Sequence, residues 1–382
     1  MVLCYKKIAR YPQVFLMLSA ATHLDEPLRL IGLTHYKKMM PFIWFDALTP
    51  KHLRIAKYVE QVAMRKGYRF LLTSREYDEL PSLSKILSLR PIYVGEHGGS
   101  DLRKKFEASV KRLLELYKII ENIDIKYVVC HASPEATRIG FGLGLPTINI
   151  NDSPHAEAVA RLTVPLTTKL ISSDFIPANA WYKLGLARSA LINYHGIESV
   201  IWLKREKIFP KDFGLRRPIV LFRPEEVKAS YVKTSTNSSY LTPALKAAQK
   251  TLRFSLLVLP RYRSQRVALQ DELPDAVVLD SQEEGLSLIA SSDVFIGAGG
   301  TMTWEAALLG KPTLSAFPKS LYIEKALSKI GLLSHVTKSN LGNKLGYILG
   351  NLEKISARQS ELARLTLQSF QDPLELISSI IT

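Results

Sequence analysis

The run Gly297-Ala-Gly-Gly-Thr-Met-Thr-Trp-Glu305 puts a glycine turn, two hydroxyls and a carboxylate side by side, ahead of an Ala-rich segment ending Gly310-Lys-Pro312. An apolar run ending at Ile296 reads as a buried strand, and the residues after the glycines read as a helix start. Gly297, Gly299 and Gly300 let the backbone bend sharply and approach a ligand closely. Thr301 and Thr303 are placed to cap the helix. The free amides of a helix N-terminus favour an anion such as a diphosphate. Glu305 lies where a carboxylate accepts hydrogen bonds from ribose hydroxyls. Together these residues predict a site for a nucleoside diphosphate, extending to a nucleotide sugar. The pattern is neither a P-loop nor a dinucleotide fingerprint.

Other candidates follow other strands. Asn151, Asp152, His155, Glu157 and Arg161 crowd the segment after Thr147–Ile150. A carboxylate beside a histidine forms an acid/base pair, and Asp152 alternatively caps the next helix. His155 and Glu157 lack the i,i+4 spacing of a helical zinc site, so no metal and no cofactor is expected. His52, at the start of the first helix, suits a base or a phosphate ligand, and equally an exposed polar residue. His131 and Ser133 follow the strand Ile125–Cys130 and are weaker candidates. Arg223 and Arg261 each follow a strand of the second half, where a guanidinium can grip phosphate oxygens in bidentate fashion.

The elements that must position these residues alternate strand and helix. Phe42–Leu48, Tyr68–Ser74, Pro91–Glu96, Ile125–Cys130, Thr147–Ile150 and Lys169–Ser173 read as strands. A second series reads as Ile219–Phe222, Ser255–Leu259, Ala276–Leu279, Val294–Ile296 and Thr313–Ala316. Helical periodicity between them, as in Leu53–Ala63 and Leu102–Asn122, implies βαβ units and parallel sheets. The expected organisation is an extension over residues 1–39, a Rossmann-like domain over 40–215, and a second over 216–382 that includes the terminal helices. Two such doubly wound α/β domains hold ligands beyond the carboxyl ends of their strands, here in the cleft between them.

Bulk properties narrow the classes. The chain has 382 residues, enough for two ordinary domains. Its net charge of +16 suits phosphorylated ligands, nucleic acid or an anionic membrane face. No block of about six like charges occurs, and aromatics are not interleaved with basic runs, which argues against nucleic acid. Cys4 and Cys130 are the only cysteines, so a disulfide scaffold is excluded and a reducing cytoplasm fits. The apolar run Val14–Ala21 is well short of the roughly 20 residues a bilayer span needs. A membrane role is therefore expected only as peripheral contact.

The segment Gly297–Pro312 resembles the donor-nucleotide motif of GT-B proteins, including the peptidoglycan N-acetylglucosaminyltransferase and the non-hydrolysing UDP-N-acetylglucosamine 2-epimerases. Over Met40–Pro373 the chain resembles domain-of-unknown-function family 354, itself GT-B-like. Trp44-Phe-Asp46, Asn151-Asp152, Arg161-Leu-Thr163, Arg223-Pro-Glu225 and Pro260-Arg261 carry that likeness. The resemblance implies a GT-B fold. It assigns the ribose to Glu305 and the diphosphate to Gly299, Gly300, Thr301 and Thr303. It implies glycosyl transfer from a UDP-sugar donor to an unidentified acceptor, with His52 or Asp152 as base. The alternatives are sugar 2-epimerisation through Asp152, His155 and Glu157, and a non-catalytic nucleotide-sugar-binding protein. Two places depart from the epimerases: Phe222-Arg-Pro-Glu225 lacks their histidine, and His131-Ala-Ser133 replaces their Gly-Asp-Thr turn.

Overall fold

The computed structural model describes residues 40–76, 80–99, 101–225, 238–280, 283–317 and 321–382. The expected extension over residues 1–39 lies outside them.

Two fully parallel sheets form the molecule. The first joins β1 (Phe42–Ala47), β2 (Arg69–Glu76), β3 (Ile92–Glu96), β4 (Ile125–Cys130), β5 (Thr147–Ile150), β6 (Lys169–Ser173) and β7 (Leu191–Tyr194) in the order 3-2-1-4-5-6-7. The second joins β8 (Ile219–Arg223), β9 (Ser255–Val258), β10 (Val277–Val278), β11 (Val294–Gly297), β12 (Thr313–Ser315) and β13 (Ser334–His335) in the order 10-9-8-11-12-13. This is the two-domain Rossmann-like architecture expected from the alternation of strands and helices. In each sheet the order reverses beside the first strand, between β1 and β4 and between β8 and β11. Such a switch point opens a crevice at the carboxyl edge.

Alternation along the central strands explains the layering. Ile43 and Phe45 of β1 face the helix Pro50–Arg65, packing with Leu53 and Val59. Trp44 points the other way, into a cluster with Leu116 of the helix Leu102–Ile120 and Ile139 of the helix Pro134–Gly142. In β8, Val220 and Phe222 pack with Leu245, while Ile219 and Leu221 pack with Leu288 and Ala306. A further cluster spans both halves, joining Trp181 and Val200 to Trp304, Leu308 and Ala363.

One expectation needs correction. The helix Pro373–Ile380, assigned from sequence to the second domain, packs on the first. Leu374, Ile377 and Ile381 enter the same core as Tyr58, Val59 and Val62 of the helix Pro50–Arg65. Among the described residues its apolar face is satisfied there. Among the described residues, no helix is long and apolar enough to cross a membrane.

Candidate functional site

The two switch points open onto one cleft of about 1390 Å³, lined by loops from both halves. On the second half, the register pairs Gly297 with Arg223, so the glycine turn and the arginine emerge side by side. Gly299 and Gly300 have φ of +86° and +87°, values that side-chain-bearing residues rarely adopt. A Cβ on Gly299 would lie 2.6 Å from the Phe317 ring, and one on Gly297 would collide with the Thr303 hydroxyl.

Gly300, not a threonine, caps the helix Thr301–Leu308, and no side chain caps it. This corrects the capping role read for Thr301 and Thr303. The amides of Thr301 and Met302 therefore have no partner among the described residues. Thr301 lines the cleft. Thr303 turns inward against Gly297, is buried, and does not line the cleft.

Glu305 is buried at the cleft wall. Its Oε1 accepts the indole N–H of Trp202 at 2.8 Å. Its Oε2 has no hydrogen-bond partner among the described residues. Burial pushes its pKa up to about 7, against the opposing pull of Arg54 and the Trp202 hydrogen bond. Arg223 donates from Nη1 to the carbonyls of Leu259 and Pro260, at 3.1 and 2.7 Å. Arg261 donates from Nε to the Pro224 carbonyl at 2.9 Å. Each arginine thus ties down the other's loop while lining the cleft.

The first half supplies the opposite wall, and here the sequence reading changes most. Lys51 lies between two carboxylates, 2.6 Å from Asp152 Oδ2 and 3.1 Å from Glu198 Oε2. Asp152 also accepts the Ser153 hydroxyl at 2.6 Å. Burial raises its pKa, but Lys51, His131 and these hydrogen bonds outweigh it and hold the carboxyl well below the usual range. A carboxylate held this firmly in its ionised form makes a weak base, contrary to the role read for Asp152.

His52 is corrected in the same sense. It is buried, and its Nδ1 accepts the Leu48 amide at 3.0 Å. Burial, with His131, Lys51 and Arg75, pushes its pKa well down, so the ring is neutral. Its single ring proton must then sit on Nε2, which leaves no lone pair for a substrate. Glu157 lines the cleft, exposed and paired with Arg161 at 2.7 Å in an ordinary i,i+4 surface bridge. His155 is exposed on the cleft wall.

The imidazole better placed for proton transfer is His131. It stacks on His52 with ring centroids 4.5 Å apart. Its Nε2 meets Glu198 Oε2 at 2.9 Å. A carboxylate accepts only, so Nε2 donates to Glu198, and Nδ1 is the nitrogen left to exchange a proton. The following residue, Ala132, holds an unusual φ of +49°, pinned by the Asn149 side chain accepting its amide at 2.8 Å. Ser133 is no nucleophile here: its hydroxyl donates to buried Asp46 at 2.5 Å. Asp46 also takes a bidentate grip from Arg112, at 2.6 and 3.0 Å, which fixes the β1 and β4 loops together.

His131, Asp152 and Glu198 bring one ligand atom each within 4.8 Å of one another. This donor set would suit a divalent cation, but the Lys51 ammonium already lies against both carboxylates. Lys51, Arg54, Glu198 and Trp202 escaped the sequence reading. Arg54 bridges the halves, donating to Glu206 at 2.8 Å and to Glu284 of the second half.

Comparison with solved structures places the fold. A UDP-GlcNAc 2-epimerase from Neisseria meningitidis, bound to UDP-GlcNAc, aligns with TM-score 0.64 at 14% identity, covering 86% of this chain and 99% of its own. The S. aureus protein MnaA, solved with UDP, gives 0.66 at 15%, covering 84% and 91%. A spinosyn rhamnosyltransferase complexed with thymidine diphosphate gives 0.59 at 14%, covering 90% and 100%. These identities establish a shared GT-B architecture and nothing finer. An uncharacterized protein of Methanocaldococcus jannaschii is 28% identical over 337 residues, covering 80% of this chain and 93% of its own. With its sequence pattern matched over residues 42–375, the chain belongs to the family described as Protein of unknown function (DUF354).

Proposed function

We propose that this protein transfers a glycosyl group from a nucleoside-diphosphate sugar, a UDP-sugar, to an acceptor hydroxyl. The observation that carries the reading is the pairing of two walls across one cleft. One wall presents Glu305 and an uncapped helix N-terminus behind a glycine turn. The other presents His131 oriented by Glu198.

In this reading Glu305 Oε2 accepts a ribose hydroxyl. The Thr301 and Met302 amides, with Arg223 and Arg261, take the diphosphate. His131 Nδ1 removes the proton of the acceptor hydroxyl, and Glu198 stabilises the resulting imidazolium. The acceptor oxygen bonds to the anomeric carbon as the bond from that carbon to the diphosphate oxygen breaks. The leaving diphosphate keeps the electron pair, and the amides and guanidiniums offset its charge.

The test is a thermal-shift screen of the full chain with nucleotides and nucleotide sugars. A UDP-sugar is expected to raise the melting temperature, and Glu305→Ala to abolish the shift. Stabilisation by none of them overturns the reading. Incubation with the donor alone separates the alternatives. Accumulation of a C2 epimer would favour epimerisation. Tight binding without consumption, even by slow hydrolysis, would leave a binding protein.

A further inference from the structure

Arg54 lies in the first turns of the helix Pro50–Arg65, buried at the cleft wall. Arg54, Lys57 and Tyr58 are three and four residues apart and so share one helical face. All three reach Glu206, Arg54 at 2.8 Å, Lys57 at 3.0 Å and the Tyr58 hydroxyl at 2.9 Å. The second terminal nitrogen of Arg54 donates to Glu284 of the second half. Glu206 stands one turn beyond Trp202, whose carbonyl accepts its amide at 2.8 Å. Trp202 in turn donates to Glu305. Glu284 caps the helix Gly285–Ser291, accepting the Ser287 amide at 2.7 Å. That helix packs beside Thr301–Leu308, the helix that carries Glu305. The contacts close a ring, from Glu305 through Trp202, Glu206, Arg54 and Glu284 back to the helix of Glu305.

The charges in this ring are unequal in their reach. Glu206 and Glu284 each have a bonded cation, whereas Glu305 has no ion pair among the described residues. Arg54 is the cation that acts on Glu305, favouring its ionised form, and Glu284 and Glu206 oppose it. In a wall shielded from water such a charge acts across several ångströms without direct contact. Arg54 comes from the first half and Glu305 from the second. The carboxylate assigned to the ribose therefore depends on a cation that its own half does not supply.

We propose that Arg54 is a positioning residue for the nucleotide: lodged between Glu206 and Glu284, it supplies from the first half the charge that keeps Glu305 a ribose acceptor on the second. Both terminal nitrogens of Arg54 are spent on protein carboxylates, so it acts on the ligand through Glu305. The nucleotide site is complete only while the ring holds the halves together. The proposal rests on Glu305 as the ribose ligand and adds the residue that governs it.

The experiment is calorimetry of the full chain with UDP as a function of pH, in the parent protein and in two variants that break the same ion pair. In the parent protein affinity should rise with pH and then level off. Arg54→Met removes the favourable charge, so the plateau should move to higher pH. A displacement of one pH unit is about a tenfold loss of affinity on the acid side. Glu284→Gln removes an opposing charge and keeps an oxygen for the Ser287 cap. Its plateau should move to lower pH, tightening UDP on the acid side. Titration of the ligand's own phosphates is common to all three proteins. Arg54→Lys should return the plateau toward that of the parent. A bridge that merely braced the cleft would weaken UDP in both variants, in the same direction and without moving the plateau. Displacements in opposite directions support the proposal, and displacements in one direction, or none, overturn it. Should Arg54→Met not fold, the downward displacement in Glu284→Gln, or its absence, decides. Absence of UDP binding by the parent protein overturns the ribose reading and this proposal with it. Binding by the parent with an unmoved plateau in the variants overturns this proposal alone.

Discussion

Trp202, from the first half of the chain, donates its indole N–H to Glu305 of the second half at 2.8 Å. The carboxylate proposed to hold the ribose is therefore oriented by a buried residue of the other half of the chain. Trp202→Phe removes the donor and keeps an aromatic ring. Affinity for UDP is expected to fall about tenfold or more, since a hydrogen bond to a charged group is worth roughly 1.5–3 kcal/mol. Calorimetry with UDP and with pyrophosphate checks the assignment. Only UDP binding should weaken, because pyrophosphate lacks the ribose. An equal loss for both would mean that Trp202 supports the fold and not the carboxylate.

UDP binding should depend on pH through Glu305. Its pKa near 7 leaves the group largely protonated in mildly acidic solution. A protonated carboxyl accepts less well from a ribose hydroxyl, so affinity is expected to rise with pH and level off above about 7. Titrations across this range with Glu305→Gln should give weak binding with no inflection.

Glu324 gives a stability prediction. It is buried, accepts the Ser315 hydroxyl at 3.0 Å, and burial pushes its pKa up to about 7 from an ordinary 4.5. Between those values the folded state holds a proton that the unfolded state has released. Stability from this group is therefore full below pH 4.5 and is lost as pH rises toward 7, on the order of 3 kcal/mol in total. Glu324→Gln should flatten that part of the urea-melt profile. A slope identical to that of the parent protein would refute the assignment.

Lys51 has a testable electrostatic role. Lys51→Ala leaves Asp152 and Glu198 buried without their shared cation, at a cost of about 3–5 kcal/mol. The vacated position lies among the donor atoms of His131, Asp152 and Glu198. Zinc or manganese should therefore restore melting temperature in the variant, and not in Lys51→Ala with Glu198→Gln. No metal-dependent recovery would show that the three groups cannot close around an ion.

His131→Asn should slow release of UDP from the donor roughly a hundred- to ten-thousand-fold, the usual scale for loss of a general base. Glu198→Gln should cost less, because the imidazole remains but loses its charged support. Equal rates in the parent protein and His131→Asn would remove His131 from the chemistry.

The contrast between strands and site shows what a sequence carries. Ile125–Cys130, Thr147–Ile150 and Lys169–Ser173 were legible to the residue. β7 and β13 were missed: each lies at a sheet edge, and Ser334-His335 is only two polar residues long. The glycine turn was legible because its geometry is local. Lys51 and Asp152 are 101 residues apart, and Trp202 and Glu305 are 103 apart. Such pairs exist only after the strands have been ordered, so residue type alone pointed to Asp152 and His52 and passed over their partners.

The return of the helix Pro373–Ile380 to the first sheet has a consequence for engineering. The first half is discontinuous, and the second behaves as an insertion threaded into it between β7 and the closing helix. Trimming residues 373–382 would damage the half farthest away in sequence, exposing Tyr58 and Val62 and leaving the nucleotide wall untouched. A split-protein design therefore has three fragments to respect where a linear reading of the chain suggests two.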